Sequence, residues 1–210
     1  MVIKLHECAP KKGAGLGATV AELHMAAVHK GVSEGTIPPG TLIVLDFEKL
    51  TAVNGSYIKG TAFWLLKCGQ LSCSGNSENI IPPRHTADPR PYDLFVCVSG
   101  LSPDVMTEFQ EFLKPRGLPL LFAKKFAGGM VNEAILLGHL DPALRFTLIA
   151  MTKQGICTAP QLHELFPDQK ITVTAWNNRL NDLHSLRLVR RARVGRGLQY
   201  SPLTKRIIWV

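Results

Sequence analysis

The chain has 210 residues, of which 46% are hydrophobic and 19% charged, proportions that support one large or two small folded domains and exclude a low-complexity chain. No apolar run reaches the roughly eighteen residues of a membrane span, and the opening Met1-Val2-Ile3-Lys4 lacks a signal-peptide core. A cytoplasmic protein with no membrane partner is expected. The net charge of +8 is uneven: residues 141–210 hold eleven Lys+Arg against four Asp+Glu, and residues 1–140 hold thirteen against twelve. A positive field confined to the last third of the chain implies a polyanionic partner there.

Cys8, Cys68, Cys73, Cys97 and Cys157 are an odd number in differing contexts, which argues against a disulfide framework. Cys68 and Cys73 have no second Cys or His pair at zinc-finger spacing, so neither a metal nor another cofactor is expected.

Val2 to Leu5 reads as an opening strand, Pro10-Lys11-Lys12-Gly13 as a turn, and Leu16 to about His29 as a helix. The glycines of Gly13-Ala14-Gly15-Leu16-Gly17 resemble the final glycine box of histidine-kinase-type ATPases. The short stretch before them contains neither of that family's other boxes, so they are read as turn and packing glycines. Thr41 to Phe47 is a continuous apolar, partly β-branched run, suited to a strand covered on both faces. Asn54 is a helix cap, and the helix after it is expected to run through Lys67.

Val44-Leu45-Asp46-Phe47-Glu48-Lys49-Leu50, followed by Asn54-Gly55-Ser56-Tyr57, resembles the STAS fold of anti-sigma-factor antagonists. The resemblance implies an α/β domain for protein interaction, dimerisation or signal input. It also places Ser56 at the serine that a partner kinase phosphorylates in those antagonists. Asn54 and Tyr57 depart from that family's aspartate and glycine.

Residues 69–93, rich in Gly, Ser, Pro and Asn, read as a long surface excursion with a short strand near Ile80-Ile81; His85 and Asp88 have no partnered nucleophile there. Asp93 to Val98 is a strand, Ser102-Pro103-Asp104 starts a helix running to about Lys114, and Leu118 to Ala123 is another strand. Alternating strands and helices define an α/β domain over residues 1–128. Gly128-Gly129 is a break, and residues 129–140 are expected to form a connecting helix.

Residues 141–210 begin with Asp141-Pro142 opening a helix that ends at Gly155, then a capping box Thr158-x-x-Gln161 before a second helix. A third helix over 172–186 places Val173, Trp176, Leu180 and Leu183 in one apolar stripe, with Trp176 in the core. A basic hairpin over 188–201 follows, turning at Val194-Gly195-Arg196-Gly197. Three helices and a basic hairpin in this order resemble the winged helix-turn-helix of bacterial transcription regulators. Arg187 departs from the glycine that many members carry before the wing.

The fold class expected is therefore a STAS-like α/β domain plus a C-terminal winged helix-turn-helix. The resemblance implies a double-stranded DNA partner, a homodimer and a nucleoid-associated location. Thr172, Thr174, Ala175, Asn178 and Arg179 are the candidates for base edges; Arg190, Arg191, Arg193 and Arg196 are the candidates for phosphate or the minor groove. Two other readings remain at this point. One is a partner-switching module acting through Ser56. The other is a ligand-sensing regulator resembling the CRISPR-associated nucleotide-sensing regulators, in which a regulatory protein or a small ligand acts on the first domain. No nucleophile with a base is evident, so an enzyme is not expected.

Overall fold

Continuous apolar runs at Thr41–Asp46 and Leu94–Ser99 build the centre of a sheet that is buried on both faces. The computed structural model describes residues 1–8, 14–15, 17–74, 91–127 and 130–209. The expectations for Pro10–Gly13, Leu16, Ile80, Ile81, His85, Asp88 and Gly128-Gly129 fall outside the described residues. Strands β1 (Val2–Lys4), β2 (Ala14–Gly15), β3 (Thr41–Asp46), β4 (Ala52–Val53), β5 (Leu94–Ser99), β6 (Pro119–Ala127), β7 (Met130–Gly138), β8 (Val189–Val194), β9 (Gly197–Pro202) and β10 (Ile207–Ile208) are joined by seven α-helices among the described residues. The helices are α1 (Ala18–Ser33), α2 (Gly55–Ile58), α3 (Trp64–Ser74), α4 (Pro103–Leu113), α5 (Pro142–Gln154), α6 (Ala159–Leu165) and α7 (Val173–Ser185).

The main sheet runs β1-β3-β5-β6-β7-β10 and is parallel except between β6 and β7. In β3, Ile43 and Leu45 point to one core while Leu42 and Val44 point to the other; in β5, Val96 and Val98 oppose Phe95 and Cys97. The first core is closed by α1 to α4 through residues such as Met25, Tyr57, Leu65 and Phe109. The second is closed by α5 to α7 and the β8–β9 hairpin through Met151, Leu162, Trp176, Leu180 and Tyr200. Each fully buried large apolar side chain contributes about 1.5–3 kcal/mol. The C-terminal segment is thus the second covering layer of the sheet. No described helix is long and apolar enough to cross a membrane.

Local signals account for most element ends. Asn54 Oδ1 accepts from Tyr57 N–H at 3.0 Å and from Gly17 N–H at 3.2 Å, tying α2 to the start of α1. Ser102 caps α4, Asp141 caps α5, and Thr158 with Gln161 forms the expected capping box on α6. After α2 the chain continues through one π-helical stretch, Lys59–Phe63, into α3, so the helix extends past Lys67 to Ser74.

The connecting helix expected at 129–140 is instead strand β7, antiparallel to β6. Its register with β6 leaves Asn132 as an extra residue, a β-bulge that shifts the pleat by one position. Val131, Ala134 and Leu136 consequently reach the same core, and the 131–134 step imitates helical spacing. With β10 pairing onto β7, the expected boundary lies inside the sheet.

Arg187 fastens this second layer to the first. Its side chain is 1% exposed, with Nε donating to Gly69 O at 2.5 Å and Nη2 donating to Ser72 Oγ. Nη2 also pairs with Asp93 Oδ1 at 3.0 Å, and the guanidinium lies 4.8 Å from the Phe95 ring centre. The backbone of Arg187 has φ 61°, the left-handed conformation that glycine favours. A glycine-type turn is therefore present at the position where the sequence has arginine.

All five cysteines carry free thiols. Burial pushes the Cys97 thiol up to about 12 and that of Cys157 up to about 11, so both stay protonated at neutral pH. Burial likewise lowers the imidazole pKa of His184, against the opposing hydrogen bond from Nδ1 to Val189 O at 3.1 Å, and lowers those of His24 and His29. These rings bind protons more readily in the unfolded chain. Their stabilisation is complete above the ordinary histidine value of 6.5 and is lost as pH falls through it towards the folded values. Thermal melts are expected to hold a constant Tm down to about pH 7 and then fall towards about pH 5. His184→Gln is expected to flatten that fall; an identical pH profile in the variant would contradict the assignment.

Candidate nucleic-acid interface

Three short signals set the position of α7. Thr172 Oγ1 accepts from Ala175 N–H at 3.2 Å and caps the helix. His163 on α6 donates from Nδ1 to Ile171 O at 2.8 Å, fixing the turn between α6 and α7. Trp176, wholly buried, has its ring centre 6.0 Å from those of both Phe146 and Phe166, which anchors α7 to α5 and α6. As expected, Trp176 belongs to the core.

The N-terminal half of α7 remains open. Thr172, Thr174 and Asn178 are exposed, Ala175 and Arg179 are half-buried, and the Arg179 guanidinium is 6.0 Å from the Trp176 ring centre. Val173, placed in the buried stripe by its spacing, is 38% exposed. The first turn of α7 projects past the packing surface, so the buried stripe begins at Trp176. Val173 and Thr174 instead line a groove of about 460 Å³ with Pro160, Asn177, Gly197 and Leu198.

The pleat of the hairpin sorts its arginines into two groups. Arg191 pairs across with Tyr200 and Arg193 with Leu198, on the face turned to α7. Tyr200 Oη donates to Asn181 Oδ1 at 2.8 Å, and Arg191 Nη1 donates to the same oxygen at 3.0 Å. Arg190 pairs across with Ser201 and lies on the opposite face, its guanidinium 5.6 Å from the Phe95 ring centre. Arg196 sits in the two-residue turn after Gly195, whose φ of 59° needs glycine. All four arginines are exposed, and none pairs with a carboxylate among the described residues.

No protein-family model, curated protein or solved structure matches this chain.

Of the expected site residues, the structure places Thr172, Thr174, Ala175, Asn178 and Arg179 at the start of α7, Arg191 and Arg193 on the hairpin face turned to it, and Arg196 in the hairpin turn. It sets Arg190 apart, by pleat. Ser56 is exposed in the first turn of α2, on the layer across the sheet from the hairpin. Two residues outside the expected set, Asn177 and Asn181, also face the hairpin. Their signal was the i, i+3, i+7 series Thr174, Asn177, Asn181, which shares one helical face.

Proposed function

We propose that the chain is a sequence-specific double-stranded DNA-binding transcriptional regulator. In this reading α5 to α7 and the β8–β9 hairpin form a winged helix-turn-helix, and the STAS-like α/β layers serve as its dimerisation or input module. The observation that carries it is the shared face of the open half of α7 and of Arg191 and Arg193, which have no carboxylate partner among the described residues. Confining like charges to a hairpin without carboxylate partners is unfavourable unless an anion meets them.

The division of labour follows from the chemistry of each group. Asn178 can bond adenine through its N6 and N7 edge, and Thr174 with Val173 suits a thymine methyl. Arg191, Arg193 and Arg196 neutralise phosphates or enter the minor groove. Thr172 Oγ1 already accepts a backbone hydrogen bond, so its hydroxyl hydrogen is what remains for a phosphate oxygen.

Selection of bound sequences from a random duplex pool is expected to return one enriched motif, with binding that weakens steeply with salt. No enrichment over the pool would refute the proposal. Asn178→Ala is expected to relax the preference at one position of that motif by about 1–3 kcal/mol, with other positions unchanged.

A further inference from the structure

A second concavity lies between the main sheet and the base of the hairpin, on the side to which Arg190 points. It encloses about 590 Å³, within the range of small-molecule sites. Leu42 of β3, Val131 of β7 and Leu203 after β9 form an apolar floor, and all three are at most 9% exposed. Lys153 in the last turn of α5, Arg190 of β8 and Lys205 before β10 supply three cations around it. No Asp or Glu lines the cleft, and none of these cations pairs with a carboxylate among the described residues.

We propose that this cleft binds a small organic anion that combines an acidic head group with an apolar body. The two halves of the lining require the two halves of the ligand. Three cations lining one cleft raise the local potential for an anion. A free inorganic anion, however, would leave the apolar floor wet, and a neutral hydrocarbon would leave the cations without a partner. Ile156 and Met130, 61% and 50% exposed, stand on the rim as large apolar side chains held in water, which an occupant would cover. The recessed floor also separates this cleft from the open arginine face, whose shape suits a polyanion.

An occupant would touch the sheet through Leu42 and Val131 and the hairpin base through Arg190 and Ser201. Head groups of two kinds, carboxylate and phosphate, share the required chemistry. Octanoate and octyl phosphate are therefore the probes, with octan-1-ol as the neutral control, each titrated against the full chain without DNA and followed by NMR.

Saturable binding of at least one anionic probe is expected, with octan-1-ol about tenfold weaker or more. The stronger of the two anions identifies the head group. The double substitution Lys153→Gln with Lys205→Gln removes two exposed cations and no core contact, and is expected to weaken the anion about tenfold while leaving the melting temperature in place. Ile156→Glu, at an exposed rim position, is expected to weaken it as well. The proposal is overturned if neither anion saturates, if the alcohol binds as well as the anions, or if the substitutions leave anion binding unchanged. Because no DNA is present, failure here leaves the duplex-selection result untouched.

Discussion

Arg187→Ala is expected to destabilise the fold by about 3 kcal/mol, from the lost packing of a buried side chain and the stranding of the Gly69 carbonyl. Arg187 is the tie between the end of α7 and the α3 side of the sheet, through Gly69, Ser72 and Asp93. Arg187 packs closely against Gly69. A Cβ on Gly69 would already meet Leu94 O at 2.5 Å. Arg187→Gly separates backbone from side chain, because glycine accepts the φ of 61° without the roughly 1 kcal/mol that a left-handed residue costs. It is expected to be about 1 kcal/mol milder than the alanine variant. Urea unfolding of the two variants measures both quantities. If both variants unfold at the native urea midpoint, the guanidinium does not hold the layers together.

Arg191→Ala, Arg193→Ala and Arg196→Ala combined are expected to weaken binding to every duplex, on the order of a hundredfold, with no change in the preferred motif. Each phosphate contact removed lowers the slope of log affinity against log salt by about 0.9, so the slope should fall by roughly 2–3. Arg190→Ala, on the other face of the hairpin, is expected to change duplex affinity much less. Equal losses from Arg190→Ala and from Arg193→Ala would show that the pleat does not sort the arginines as described.

The contrast between Asn178 and these arginines gives the DNA reading two independent signatures, one in sequence preference and one in salt dependence. A protein partner for the basic face would produce salt dependence without any preference among base sequences.

Several features could be read directly from the residues. Thr41 to Phe47 announced a strand buried on both faces, and Ile43 and Leu45 do oppose Leu42 and Val44 across the sheet. The caps at Asn54, Ser102, Asp141 and Thr158 are local hydrogen bonds of the side chain to nearby backbone, so short sequence windows contain them. The glycine turn at Gly195 and the flanking strands were legible for the same reason.

Long-range pairing was not. At residues 129–140 the extra residue Asn132 broke the period-two pattern, and only pairing with β6 reveals the strand. Arg187 illustrates the same limit. Its partners Gly69 and Ser72 are 118 and 115 residues away, so no window of sequence could show that it is buried and paired.

By itself, the sequence determined the capped helices, the basic hairpin and the concentration of charge in the last third, because these depend on neighbours along the chain. Tertiary structure alone decided that the C-terminal segment is the second layer of the sheet, with β10 paired to β7, and that Arg190 and Arg191 serve different surfaces. The physical reason is that side-chain burial and strand pairing depend on which distant surfaces meet, and adjacent residues on a strand point to opposite sides.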